Sequence, residues 1–251
     1  MNATPLPRAL VVIPARYNST RFPGKVLADL NGKPMIERVV ERARQARAVE
    51  RVLVATDDER VAGAVAAFGG EAVMTRPDHR SGTGRLAEVA TKVDAPIFVN
   101  VQGDEPLIEP AAIDTAVETL AADPTVAIAT LATPILEPGP LADPNVVKVV
   151  MDFESDALYF SRAPIPWLRD TSEETPRYFK HIGLYVFRRE ALLEFPTLPP
   201  GELERVEQLE QLRWLENGYR IRVAITNYDS IAVDVPEDIA RVTARLSSTG
   251  Q

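Results

Sequence analysis

Ala9-Leu-Val-Val-Ile-Pro-Ala-Arg-Tyr-Asn-Ser-Thr-Arg-Phe-Pro-Gly-Lys25 is the stretch from which the fold can be read. The apolar run Ala9–Ile13 is short and reads as a buried first strand. Pro14 ends it and opens a polar loop carrying Arg16, Arg21, Gly24 and Lys25. The spacing is neither a Walker A loop nor a Rossmann glycine fingerprint. Backbone N–H groups and cations can still cradle a polyphosphate in such a loop. Composition alone favours a solvated surface loop; the position directly after a buried strand argues for the cradle.

Outward from this stretch the pattern alternates. Met35, Ile36, Val39, Val40 and Ala43 share one helical face behind Pro34. Val52–Thr56 reads as a second strand, and Thr56-Asp-Asp-Glu59 has the form of a capping box for the next helix. Ala72–Met74 is a short strand, Gly84–Thr91 a helix and Ile97–Val101 another buried strand. Strand, loop and helix in turn predict right-handed βαβ units and a mostly parallel, Rossmann-like α/β sheet. Ligands of such sheets gather beyond the carboxyl ends of the strands, where the loops from Pro14, Arg76 and Gln102 should converge. The second half is less regular. Val126–Ala132, Val146–Asp152, Ala157–Phe160 and His181–Phe187 read as strands, with an irregular excursion from Arg162 to Arg177. Glu204–Asn217 reads as one amphipathic helix ended by Gly218, followed by a strand at Ile221–Ile225 and a helix at Pro236–Leu246. One sheet carrying an inserted smaller lobe is the economical organisation.

Composition narrows the function classes. Cysteine is absent, which excludes disulfides, zinc-thiolate sites, iron–sulfur clusters and cysteine nucleophiles. A net charge of −8 argues against nucleic acid as a partner, while a few focused cations can still attract a small anion. The opening residues lack the apolar core of a signal peptide, and no run approaches a membrane span. The cytoplasm is therefore the expected location, with no membrane partner.

Four further constellations could carry chemistry. Gln102-Gly-Asp-Glu-Pro106 follows a predicted strand, so Asp104 is either a Mg²⁺ ligand or a turn residue bonding its own backbone. Asp234-Val-Pro-Glu-Asp238 fits ordinary helix-start chemistry. In Arg76-Pro-Asp-His-Arg-Ser-Gly-Thr-Gly-Arg85, the segment Ser81, Gly82, Thr83 could present hydroxyls and N–H groups to a ligand or simply cap a helix. His181 and Tyr185 lie four residues apart on one strand and so share a face, which suits either core packing or a sugar site shared with Arg162, Glu210 and Gln211.

Taken together and in order, these segments resemble the 3-deoxy-manno-octulosonate cytidylyltransferases, or CMP-Kdo synthetases. The resemblance rests on Ile13 to Lys25, Asn31-Gly-Lys-Pro-Met-Ile36, Val54-Ala-Thr-Asp57, Met74 to Thr83, Val99 to Pro106, Ala157 to Arg162, Lys180-His-Ile-Gly-Leu-Tyr185, Leu209-Glu-Gln-Leu-Arg213 and Val233 to Asp238. The first motif is shared across sugar nucleotidyltransferases; His181 to Tyr185 and Leu209 to Arg213 point to the Kdo branch.

The resemblance implies a nucleotidyltransferase that makes CMP-Kdo and pyrophosphate from CTP and Kdo, for lipopolysaccharide synthesis. It implies Arg16, Lys25 and Asp104 as catalytic residues and Asp104 with Asp234 as Mg²⁺ ligands, which replaces the helix-start reading of Asp234. It implies CTP contacts from Arg16, Ser19, Lys25, Arg76, Ser81, Gly82, Thr83 and Gln102. The Kdo contacts would be Gln102, Arg162, His181, Tyr185, Glu210 and Gln211. Residues of about 1–125 and 221–251 would form the nucleotide-binding core, and about 126–220 a lobe for sugar binding and homodimerisation. Pro77 and Arg80 depart from the family pattern, so base selection is expected to lean on Arg76. A CMP-sialic acid or amino-Kdo cytidylyltransferase, and a non-catalytic nucleotide-binding module, are the alternatives.

Overall fold

A computed structural model of the chain describes residues 8–18, 22–79, 81–170, 176–229 and 231–248. Ser19 and Arg80 lie outside the described residues. The strands are β1 (Ala9–Pro14), β2 (Val49–Thr56), β3 (Ala72–Met74), β4 (Ile97–Asn100), β5 (Ile128–Ile135), β6 (Lys148–Met151), β7 (Ala157–Ser161), β8 (Tyr178–Arg188) and β9 (Ile221–Ile225). The helices are α1 (Met35–Ala43), α2 (Glu59–Ala67), α3 (Gly82–Lys92), α4 (Pro110–Ala122), α5 (Pro138–Ala142), α6 (Arg189–Glu194), α7 (Glu202–Glu207), α8 (Gln211–Glu216) and α9 (Asp238–Ser248). Helix α4 was not anticipated: its run of alanines lacks a sharp apolar stripe, and it is fixed by packing Ala112, Ile113, Ala116, Val117 and Leu120 into the core.

The main path of the sheet runs β3-β2-β1-β4-β8-β5-β9, with β6 and β7 as a hairpin off β8. β3, β2, β1 and β4 are mutually parallel, as the sequence pattern predicts. β8 runs antiparallel to both β4 and β5. It is therefore the second-half strand that enters the nucleotide side of the sheet and delivers its side chains there. Alternate residues of the strands feed two cores. Val11, Ile13, Val54 and Val99 pack beneath α1 and α4; Leu10, Val12, Phe98 and Phe187 pack with Leu86, Leu192 and Trp214 of α3, α6 and α8. Two layers of helix on one twisted sheet are what near-continuous apolar strands require.

Two local expectations are corrected. Thr56 does not form the capping box; its hydroxyl accepts from Asp58 N (3.2 Å), and Asp58 caps α2 by accepting from Arg60 N (2.9 Å). The aspartate wins because it lies next to the helix and also pairs with the Arg60 guanidinium (2.6 Å). The single helix read over Glu204–Asn217 is two, broken at Gln208, which adopts a left-handed conformation (φ 53°). The break is held from the end of β7. Glu207 accepts from Ser161 Oγ (2.6 Å) and Arg162 N (2.9 Å), and Arg162 Nε donates to Glu207 O (2.8 Å). An uninterrupted helix would need that carbonyl for itself. The consequence is functional: α8 starts afresh behind Glu210 and points its first turn at the sheet.

Candidate active site

The loop after β1 is shaped by its backbone. Gly24 N donates back to Tyr17 O (2.8 Å), and Gly24 sits at φ +71°, where a side chain would be strained. Arg60 lies over the Tyr17 ring at 3.4 Å from its centroid, fixing the near side of the turn. Arg16 reaches across and donates to His79 O, tying this loop to the one before α3. Lys25, at the start of a short 3-10 turn, points inward and is only 12% exposed.

The loop after β4 meets it from the other side. A Cβ on Gly103 would lie 2.9 Å from Pro14 O, so only glycine allows the two loops to come this close. Asp104 is thereby brought to 2.5 Å from Lys25 Nζ. The backbone carbonyl of Asp104 accepts from Val233 N (2.9 Å), which draws in the segment before α9. Asp238 braces that segment by accepting from Asp234 N (2.9 Å) and Val235 N (3.1 Å), and these N–H groups hold its carboxyl below the usual range. Asp234 Oδ1 then stands 4.0 Å from the same Lys25 ammonium. Two carboxylates from segments far apart in sequence thus face one cation. Arg16, Lys25, Gln102 and Asp104 line a cleft of about 280 Å³ at this point. Among the described residues no group of three His, Asp or Glu could hold a metal unaided. Mg²⁺ does not require one, since it takes one or two protein carboxylates and completes its shell with phosphate oxygens and water.

Behind the cleft, α3 begins over the sheet. Ser81 caps it by accepting from Gly84 N (3.1 Å). Gly82 lies so near β1 that a Cβ there would be 3.2 Å from Pro14 Cγ. The hydroxyls of Ser81 and Thr83 bond Glu210 at the start of α8; burial raises the Glu210 pKa, and those bonds offset part of the rise. The residues expected to hold the nucleoside and those expected to hold the sugar therefore touch. A second cavity of about 690 Å³, lined by Asp78, Ser81, Glu210 and Arg213, opens beside this contact. Arg76 is set apart from it. Its side chain is 69% exposed, 3.3 Å from Asp78, and its N–H donates to Glu88 (3.0 Å). Burial pushes the Glu88 carboxyl up, but bonds from Lys92, His79 and Arg76 N outweigh this and hold it at about 2.

β8 supplies the floor. His181 and Tyr185 do share a face, with ring centroids 5.3 Å apart, and Phe160 packs edge-on against the imidazole at 5.0 Å. A bulge opposite Thr130 and Leu131 lets Thr130 Oγ1 reach Leu184 O (2.8 Å) and the His181 Nε2 (3.0 Å). The same hydroxyl also lies 3.1 Å from Ile182 O, so with its one proton given to a carbonyl it is left to accept from the His181 ring. Burial drives the His181 pKa down to about 3, so the ring is neutral near pH 7. Burial first, and then Glu210, push the Tyr185 phenol well above its ordinary value. Gln211 is buried at the head of α8. Arg162 stands apart: its guanidinium donates to Glu207 O (2.8 Å), Pro144 O (2.9 Å) and Gln208 O (3.3 Å), which sets the break that positions Glu210 and Gln211.

Two buried residues at this site, Arg85 and Asn100, and the half-buried Asp57 carried no distinct signal of a polar role in the sequence. Arg85 of α3 is fully buried, donating to Thr75 Oγ1 and lying 3.4 Å from Asp57 at the end of β2. Asn100 ends β4 at 2% exposure. Asn100 and Asp57 lie within segments that carry the family resemblance; Asn100 falls in the strand read as buried, but periodicity gives neither residue a polar role.

Comparison with known proteins follows the same outline. A family model described as cytidylyltransferase matches residues 10–221. A 3-deoxy-manno-octulosonate cytidylyltransferase of Solibacter usitatus is 58% identical over 239 residues, covering 95% of this chain and 94% of the relative. One of Syntrophotalea carbinolica is 57% identical over 242 residues, covering 94% and 97%. A solved structure of a CMP:2-keto-3-deoxy-manno-octonic acid synthetase complexed with CTP superposes with a TM-score of 0.92 at 47% identity, covering 96% of this chain and 99% of that one. The chain belongs to the cytidylyltransferase family, in the branch of the 3-deoxy-manno-octulosonate cytidylyltransferases.

Proposed function

We propose that the protein transfers CMP from CTP to the anomeric hydroxyl of Kdo, releasing pyrophosphate and forming CMP-Kdo for lipopolysaccharide synthesis. The observation that carries this reading is the meeting of Lys25, Asp104 and Asp234 at the carboxyl end of a parallel sheet that also carries the buried His181–Tyr185 face of β8. A sensor of nucleotide needs cations for the phosphates; it does not need two carboxylates opposed to them.

In this reading Arg16, Lys25 and Gln102 bind the triphosphate, and Ser19 completes the loop. Arg76 and the Ser81, Gly82, Thr83 turn hold the nucleoside. Gln102, His181, Tyr185, Glu210 and Gln211 hold Kdo, with Arg162 fixing the break that sets the last two. The anomeric hydroxyl attacks the α-phosphorus in line, the bond to the β-phosphate oxygen breaks, and Arg16 and Lys25 stabilise the departing pyrophosphate. Two carboxylates within reach of one ammonium fit a shared divalent cation, so Asp104 and Asp234 would hold Mg²⁺, which supplies neutralisation of phosphate charge when bound. His181 orients the sugar rather than taking its proton: a ring with a pKa near 3 is poorly matched to general-base work at neutral pH.

The lobe of about 126–220 is proposed to carry homodimerisation as well. Leu136, Phe153, Leu158 and Trp167 expose apolar surface there, at 87%, 107%, 62% and 82%. The reaction is assigned to the cytoplasm, where CTP is made; no described helix is long and apolar enough to cross a membrane. The test is pyrophosphate release from CTP against Kdo, amino-Kdo and sialic acid. Release with Kdo above the others supports the reading; preference for sialic acid or amino-Kdo moves the enzyme to that branch, and tight CTP binding without release makes it a sensor.

A further inference from the structure

We infer that Asn100 is a sugar-recognition residue, sharing one hydroxyl of the acceptor with Tyr185; this rests on the acceptor being the sugar proposed above. Asn100 and Tyr185 are register partners on neighbouring antiparallel strands, so their side chains rise from the same face of the sheet. That face is the one covered by α3 and α8, because Phe98 and Phe187, two residues from each, pack in that layer. Asn100 is 2% exposed, and its Oδ1 is sealed from solvent without a hydrogen-bond partner. The Tyr185 hydroxyl is in the same condition, and the two do not bond each other.

Buried polar atoms are almost always paired, and two orphans on register partners of one sheet face call for a common partner. Their chemistry is complementary. Tyr185 stays protonated and needs an acceptor; the Asn100 carbonyl needs a donor. A sugar hydroxyl does both at once. It also suits either orientation of the amide, since a hydroxyl accepts from –NH₂ as readily as it donates to C=O. The start of α3 lies close above: a Cβ on Gly82 would come 3.5 Å from Asn100 Nδ2, so glycine there leaves room beside the amide.

The experiment is steady-state kinetics of pyrophosphate release on the full chain, comparing wild type with Asn100→Leu and Tyr185→Phe. Substrates are CTP and Kdo, then Kdo analogues each lacking one hydroxyl. Asn100→Leu should raise KM for Kdo about tenfold or more, the scale of a polar group left unpaired in a buried site, with KM for CTP within about twofold. One deoxy analogue should be penalised by wild type and not by either variant. The inference is overturned if KM for Kdo is unchanged, as for a site filled by water, or if KM for CTP rises equally, as for a residue that merely supports α3. It is equally overturned if no analogue loses its penalty. Should Asn100→Leu not fold, Asn100→Ser, smaller and still polar, takes its place beside Tyr185→Phe in the analogue series, with the same outcomes deciding. Failure of wild type to use Kdo would reject the function and is seen before any variant is made.

Discussion

Acidification should weaken the fold through His181, and the size of the effect can be worked out. The folded pKa of about 3 lies below the ordinary 6.5, because burial disfavours the imidazolium. Below 6.5 the unfolded chain binds a proton that the folded chain refuses, so stability is full above pH 6.5 and falls as pH drops toward 3. Between pH 7 and pH 5 this single group removes about 2 kcal/mol, and its limit at low pH is about 5 kcal/mol. His181→Gln keeps an N–H able to reach Thr130 and removes the titration. Urea unfolding of both proteins at pH 7 and pH 5 isolates the term, because every other group titrates alike in the two. The wild type should lose about 2 kcal/mol more than the variant over that interval. Parallel losses would refute the claim that the ring is buried and neutral.

Three other outcomes follow from the site. Lys25→Ala or Asp104→Ala should each cost about 10²- to 10³-fold in kcat, the scale of one lost oxyanion donor, with the fold retained by circular dichroism; near-normal turnover of either would remove it from the chemistry. Gly103→Ala places a Cβ 2.9 Å from Pro14 O, and should cost about 1–3 kcal/mol in unfolding experiments while lowering turnover, because the two loops must separate. Glu207→Ala strips acceptors from Ser161 Oγ and Arg162 N, and should raise KM for Kdo more than KM for CTP, since the helix break that sets Glu210 is lost.

Much of the nucleotide half was legible because each element there obeys a local rule. Ala9–Ile13 is an apolar run and Ile97–Val101 is apolar but for Asn100; both are bounded by loop residues, and the structure uses them as the central parallel strands β1 and β4. Asp104 could be weighed because it follows such a strand. Asp234 could not, since a hydrogen bond from Val233 N to Asp104 O, between residues remote in sequence, is what brings it in. The break at Gln208 was hidden for a similar reason. Glu204–Asn217 has sound helical periodicity, and the interruption comes from Ser161 at the end of β7 and from Arg162 just beyond it. Arg85 and Lys148 show the same limit. Both are charged residues with no exposed surface, and Lys148 is tolerated because Asp143 O, Val146 O and Arg162 O take its ammonium at 3.0, 2.6 and 2.5 Å. No sequence period reports carbonyls converging from three directions.

The most direct test of the central claim is phosphorus NMR of CTP incubated with the protein, Mg²⁺ and Kdo. The account predicts that a phosphodiester signal of CMP-Kdo and a pyrophosphate signal grow together in equal amounts, and that neither appears when Kdo is omitted. Pyrophosphate with free CMP in place of CMP-Kdo, or release that does not depend on the sugar, would contradict it.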